Sequence, residues 1–162
     1  EDDRGQTILD YGIAVGIFFV ALVFVLGTIP GMFAPFTGGS GDTQVADRIA
    51  TSLAVDTLGA ADTPYVLNAT CTEAFFTQVT GGAAAPTTCD FDTTETDLNG
   101  VFALDSTVDI RVEIETLDGS AATLDGTTLE AGDSLPDRMT VTTARRTVGI
   151  DGQTYTLEVH VW

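Results

Sequence analysis

The sequence predicts an α+β protein in which a long N-terminal hydrophobic helix precedes a small, mainly antiparallel β head domain. Residues 11–36 contain no charged side chain, whereas the last third of the chain alternates apolar and polar residues with a period of two. Turn-forming pairs such as Asp151-Gly152 separate the alternating segments. The 162 residues leave room for one domain of ordinary size after the helix.

The N-terminal helix is predicted from the uncharged run, because roughly 20 apolar residues are enough to cross a lipid bilayer. A helix in a soluble core is seldom so long and apolar on every face. Gly12 and Gly16 are spaced to lie on one helix face, where a second helix can approach closely. Pro30 and Pro35 predict a kink near the helix end. We assign residues 1–41 to a processing region and a hydrophobic assembly helix.

A second, amphipathic helix is predicted over residues 42–59, joining the first helix to the head. Val45, Ile49 and Leu53 recur at helical spacing, and Gly59 is a natural stop. The remaining residues, 60–162, form the predicted β-rich head. Residues 60–100 have no sustained period, which predicts a long loop with one short element near residues 73–79.

The strands of the head are predicted from alternation. Residues 108–115 alternate apolar with charged side chains, and residues 139–150 and 153–161 flank a two-residue hairpin turn at Asp151-Gly152. Further Asp-Gly turns lie between these segments. The pattern predicts a meander of about four antiparallel strands.

The composition is strongly acidic, with 24 Asp and Glu residues against 6 basic ones, all arginine, and a net charge of -18. A dense carboxylate surface stays hydrated in concentrated salt, where its self-repulsion is screened within a few ångströms. This profile predicts a halophile, most simply an archaeon. Nucleic acid is excluded as a partner, because only Arg145 and Arg146 are adjacent and polyanion binding needs clustered cations.

The two cysteines, Cys71 and Cys89, lie in the predicted loop and indicate one intrachain disulfide in an oxidising compartment. Two free thiols are the alternative. The neighbouring triplet Asn68-Ala69-Thr70 is an N-glycosylation acceptor if the chain is exported.

No catalytic or metal-binding group is predicted, and no cofactor. The single histidine, His160, lies on the polar-facing parity of the last strand without a second histidine or a thiol, which predicts an exposed or edge-strand residue. The acidic run from Asp90 to Asp97 lacks the glycine of a calcium loop and is predicted to be solvated surface. An enzyme is therefore not expected.

The stretch RGQTILDYGIAVGIFF resembles the processing region of type IV pilin-like proteins, with a glycine before the scissile bond, an acid soon after it and an unbroken apolar helix. The resemblance implies that prepilin peptidase cuts between Gly5 and Gln6, which makes Asp10 the fifth residue of the mature chain. A neighbouring subunit's terminal amine would then pair with Asp10. The Arg-Gly-Gln triplet also resembles archaellins, which lack the acid. A mature chain that starts at Glu1 would move Asp10 from that position.

The resemblance implies a structural subunit of an extracellular type IV pilus-like filament, made for adhesion or cell-cell contact. Its partners would be other copies of the chain, prepilin peptidase, the pilus assembly machinery and, before assembly, the membrane. The side chains expected to contact other copies are Asp10, Gly12, Gly16, Phe18, Phe19, Leu22, Phe24 and Leu26. One alternative is a membrane-anchored extracellular binding protein that does not polymerise, and another is a motility filament subunit of the archaellin type.

Overall fold

A computed structural model describes residues 3–37, 40–60 and 62–162, with backbone alone for residues 3–9 and 28–40. The chain separates into two compact units, Glu1–Ser40 and Gly41–Trp162, which we describe separately. The first unit contains helix α1, Asp3–Thr37. Its helical backbone continues through Pro30 and Pro35, so neither proline ends the helix, and the kink stays a prediction. An apolar helix followed by a β-sheet domain confirms the predicted α+β class.

Helix α2, Ser40–Ser52, begins at the last residue of the first unit and continues into the second unit, which we call the head. A π-helical turn, Leu53–Thr57, follows it. The turn is closed by a hydrogen bond from the Leu58 N–H to the Leu53 carbonyl oxygen at 3.1 Å. The segment is amphipathic as predicted, and its apolar side is buried. Ile49 and Leu53 on that side have at most 1% of their surface exposed. The segment therefore packs into the core of the head.

The main sheet of the head has six strands in the order β1-β2-β7-β8-β3-β6. Their bounds are β1 Gly59–Ala60, β2 Thr63–Leu67, β3 Ile110–Glu115, β6 Glu130–Gly132, β7 Thr142–Ile150 and β8 Gln153–Val161; β4 Thr123–Leu124 and β5 Thr127–Thr128 form a separate pair. The β7–β8 hairpin through Asp151-Gly152 is confirmed. The four-stranded meander is wrong in strand number and in direction, because β2 joins β7 in parallel through the pair Val66 and Gly149.

The segment predicted as a long loop contains β1, β2, helix α3, Ala69–Val79, and helix α4, Leu98–Val101. The Cys71–Cys89 disulfide is confirmed and fastens the following loop to α3. The buried side chain of Gln78, which is 2% exposed, provides a second attachment of the same loop to α3. It donates to the carbonyl oxygens of Asp92 and Glu95 at 3.0 and 2.5 Å, and it accepts from the Ala85 N–H at 2.8 Å.

The two faces of the sheet differ because side chains alternate along each strand. One face, with Val112 of β3 and Val159 of β8, packs into the core together with Phe75 and Phe76 of α3, all 0% exposed. The other we call the polar face. Three adjacent strands contribute three residues each to the polar face. These are Thr143, Arg145 and Thr147 of β7, Thr156, Glu158 and His160 of β8, and Arg111, Glu113 and Glu115 of β3.

Candidate functional site

Helix α1 exposes its apolar side chains throughout its described part. No residue from Asp10 to Gly27 is buried, although the segment is long and apolar enough to cross a membrane. By length and composition it suits a membrane anchor or a signal sequence. Apolar surface of this extent is typical of a segment that contacts lipid or other proteins.

The predicted assembly residues lie on this exposed helix. Between 39% and 71% of each bulky side chain is exposed, for Phe18, Phe19, Leu22, Phe24 and Leu26. A Cβ atom added to Gly12 or Gly16 would meet no atom within 4 Å, so the surface beside both glycines is open. Asp10 is exposed at the start of the segment. Gly5 and Gln6 have helical backbone, and the backbone alone is described for them.

A second group of functional side chains lies on the polar face of the head. Glu113 of β3 lies directly opposite Glu158 of β8, and His160 lies two residues further along β8. One donor atom from each of these three side chains falls within 4.8 Å of the other two. We call Glu113, Glu158 and His160 the carboxylate–histidine cluster.

Hydrogen bonds fix the imidazole ring of His160 on both sides. Its Nε2 lies 2.9 Å from Glu113 Oε1, and its Nδ1 lies 2.9 Å from Thr143 Oγ1 of β7. Glu158 Oε2 is 3.6 Å from Nε2, beyond normal hydrogen-bond length. A carboxylate only accepts, so a neutral imidazole donates Nε2–H to Glu113 and accepts at Nδ1 from the Thr143 hydroxyl.

Two arginines offset the repulsion between the opposed carboxylates. Arg111 binds Glu113 Oε2 through Nε at 3.0 Å and Glu130 Oε2 through a terminal nitrogen at 2.9 Å. Arg145 Nε lies 2.7 Å from Glu158 Oε1. Like charges directly opposite each other destabilise a strand pair, so these ion pairs are needed where Glu113 faces Glu158.

The prediction that His160 is exposed or at a sheet edge is wrong. His160 is 6% exposed and Glu158 is 4% exposed, because β8 lies inside the sheet with strands on both sides. The spacing Glu158-x-His160 puts both side chains on one face of a strand, and Glu113 has the matching parity on β3. Counting carboxylates as ligand partners of the histidine, and not histidines and thiols alone, would have drawn attention to this set.

A groove of about 400 Å³ adjoins the cluster on the polar face. Its lining includes Arg145, Thr147, Thr156, Glu158 and Glu115. Burial raises the pKa of the Glu115 carboxyl, and repulsion from Glu158 and Glu113 raises it further. This end of the polar face therefore disfavours additional negative charge.

Asn68, the predicted glycosylation acceptor, is exposed and precedes α3 as its N-cap. Its side-chain oxygen accepts from the Cys71 N–H at 3.1 Å, which satisfies one of the free N–H groups at the helix start. In the acidic run, Asp92 and Asp97 accept hydrogen bonds from their own loop at Thr94 and Gly100.

These features define an α+β protein with an unburied apolar N-terminal helix and an acidic, disulfide-bonded β head. The chain belongs to DUF7287, a family of unknown function, whose profile matches residues 2–162. The match extends over both the helix and the head. No curated protein and no solved structure matches the chain significantly.

Proposed function

We propose that this protein is a structural subunit, a pilin, of an extracellular type IV pilus-like filament of a halophilic archaeon, serving adhesion or cell-cell contact. The observation that carries the proposal is the exposure of bulky side chains along α1, from Tyr11 to Leu26. Full burial of one such side chain is worth about 1.5–3 kcal/mol. The helix is therefore stable in lipid before assembly and in a bundle of identical helices afterwards.

Features at the start of α1 favour helix bundling over a permanent stay in lipid. The open surfaces at Gly12 and Gly16 let a second helix approach closely. Asp10 introduces a carboxylate at the edge of the apolar segment, where a charge costs less than the roughly 2.5–3.5 kcal/mol of a charge at the membrane centre. After cleavage between Gly5 and Gln6, the terminal amine of a neighbouring subunit offsets this cost.

The head is suited to the outside of such a filament. The carboxylates behind the net charge of -18 keep the surface of the head hydrated in concentrated salt. The Cys71–Cys89 disulfide fits an oxidising, extracellular location. A glycan on the exposed Asn68 would add a further hydrated layer. The proposal assigns the head no catalytic role, cofactor or nucleic acid.

A second candidate is a membrane-anchored extracellular binding protein. It is favoured by the length of the apolar segment, which suffices for a single membrane span. In this case α1 stays in lipid, and detergent extracts a monomer. The filament proposal requires copies of the chain outside the membrane fraction.

The test is electron microscopy of material sheared from the surface of cells that express the chain, with mass spectrometry of its N-terminal peptide. Filaments that contain the chain, with a peptide that begins at Gln6, support the proposal and the Gly5–Gln6 cut. Filaments with a different first residue support polymerisation and reject that cut. Recovery of the chain from membranes alone rejects the filament and favours the anchor.

A further inference from the structure

We propose that the carboxylate–histidine cluster of Glu113, Glu158 and His160 binds a divalent transition-metal ion, with zinc the best match, on the polar face of the head. The inference does not depend on the filament proposal. It rests on the placement of the three side chains by two strands, on the distances between their donor atoms, and on the groups that hold each ligand in place.

The backbone preorganises the three ligands. Glu158 and His160 project to the same face because they are two residues apart on β8, and Glu113 faces Glu158 from the paired strand β3. Side chains of His160 and Glu158 are 7% and 5% exposed, so both donors are largely withdrawn from water. A site on paired strands holds its geometry better than a site on a loop.

Two of the three donor distances are close to those of a zinc centre, and the three donor atoms all lie within 4.8 Å of one another. Zinc binds imidazole nitrogen and carboxylate oxygen at about 2.0–2.2 Å, which separates neighbouring ligand atoms by about 3.0 Å at right angles and about 3.4 Å in a tetrahedron. His160 Nε2 lies 2.9 Å from Glu113 Oε1 and 3.6 Å from Glu158 Oε2. One imidazole with two carboxylates is a ligand set for borderline divalent ions, since magnesium and calcium prefer oxygen alone.

Each ligand has a second partner of the kind that orients ligands in metal sites. Thr143 Oγ1 bonds His160 Nδ1 at 2.9 Å, Arg111 holds Glu113, and Arg145 holds Glu158. The Thr143 hydroxyl can donate or accept. When a metal takes the Nε2 lone pair, the one proton of the neutral imidazole moves to Nδ1 and is donated to Thr143.

Charge and access also favour a cation. Three carboxylates, Glu113, Glu130 and Glu158, face two guanidinium groups, Arg111 and Arg145, so the ion pairs leave one negative charge in excess. The groove opens to solvent beside Glu158 and Arg145. Without a metal, the proton on Nε2 occupies the position between His160 and Glu113, so metal and proton compete for one lone pair.

The experiment uses the full-length chain in detergent micelles, dialysed against zinc chloride in a buffer with excess magnesium. Because the chain has one histidine, its ring nitrogens give one unambiguous set of NMR signals. We expect one bound zinc per chain and a change of the imidazole from the Nε2–H to the Nδ1–H tautomer. Absence of zinc binding, or zinc binding that leaves the imidazole signals unchanged, overturns the proposal.

Variants with a matched control identify the ligands. His160→Gln and Glu158→Gln should abolish stoichiometric binding, and Thr143→Val should weaken it by about 10–100-fold. Glu130→Gln is the matched control. It removes the same charge from the same face of the sheet, but Glu130 pairs with Arg111 and is not one of the three proposed ligands. Equal loss of binding in Glu130→Gln and Glu158→Gln would show general charge attraction and reject the site. Should a variant fail to fold, the NMR measurement on the unmodified chain still decides.

Discussion

Helices α1 and α2 are neighbours in the sequence but differ in how much of their apolar surface is buried. No residue of α1 from Asp10 to Gly27 is buried, whereas α2 buries the face that carries Ala46, Ile49 and Ala50 at 0–1% exposure. α2 alternates charged and apolar residues at helical spacing, so its own chain supplies the partner surface. α1 is apolar on all sides, so a single neighbouring surface on one side cannot cover it. The comparison shows that the distribution of apolar residues, and not helix length, decides where a helix finds its contacts.

The largest expected effect concerns the outside partner of α1. Gly16→Leu fills a surface that is open in the single chain, so it should not disturb the head. In a filament the added side chain would overlap a neighbouring helix at every subunit, and we expect filaments to disappear from sheared material by electron microscopy. Ala21→Leu, a small residue on a different helix face, is the matched control. Equal filament yield from both variants would contradict close packing at Gly16.

A smaller effect is expected where the head supplies its own partners. Phe75 is 0% exposed and packs edge-on against Phe76 and Phe91. Phe75→Ala should lower the free energy of unfolding by about 3–5 kcal/mol, through lost burial and a residual cavity. Urea titration followed by circular dichroism measures this difference. Leu117→Ala, at a position 74% exposed, should change stability by no more than about 0.5 kcal/mol; similar losses in both would refute the assigned core.

The disulfide should contribute next. Cys71 and Cys89 are 18 residues apart, and cross-linking a loop of that size lowers the entropy of the unfolded chain. Replacing both cysteines by serine should reduce stability by about 3 kcal/mol. Thermal unfolding of the oxidised and substituted chains tests this value. Because α1 lies outside the loop, membrane extraction should be unchanged, and a change there would break the separation between helix and head.

The smallest effect concerns charge on the polar face. The pKa of Glu115 is raised by burial and by repulsion from Glu158 and Glu113, so its ionised form destabilises the folded head. Glu115→Gln should therefore stabilise the head at neutral pH. The advantage should shrink as the pH falls below the raised pKa and vanish below the unfolded value of about 4.3. Melting temperatures of the variant and the unmodified chain across this pH range test the prediction. A stabilisation by Glu115→Gln that increases as the pH falls would contradict the raised pKa of Glu115.

Much of this arrangement follows from local sequence. The apolar run defines α1, alternation defines β3, and Asp151-Gly152 defines the β7–β8 hairpin, since each signal lies within a few residues. The parallel pairing of Val66 with Gly149 joins distant segments and has no local signal. β2 is also short, and its Tyr65 takes a positive φ of 64°, which an alternation pattern does not predict.

The candidate site was predictable only in part, for the same reason. The parity of Glu113, Glu158 and His160 can be read from each strand, but their proximity requires β3 and β8 to be neighbours. The burial of His160 further requires β7 on the other side of β8. The exposure of Phe18 and Phe24 could be predicted without knowing which strands are neighbours, because the apolar run around them has no polar side that would mark a buried and a solvent-facing surface.

The hydrogen bonds of Gln78 favour re-formation of the disulfide after reduction. Its side-chain hydrogen bonds to Ala85, Asp92 and Glu95 hold the loop on both sides of Cys89, and we expect them to persist after reduction because none of them involves a cysteine. Cys89 therefore stays near Cys71 at a high effective concentration. The chain has two cysteines, so reoxidation allows one intrachain pairing. When an oxidant is supplied, we therefore expect the reduced head to re-form the Cys71–Cys89 cross-link without an isomerase.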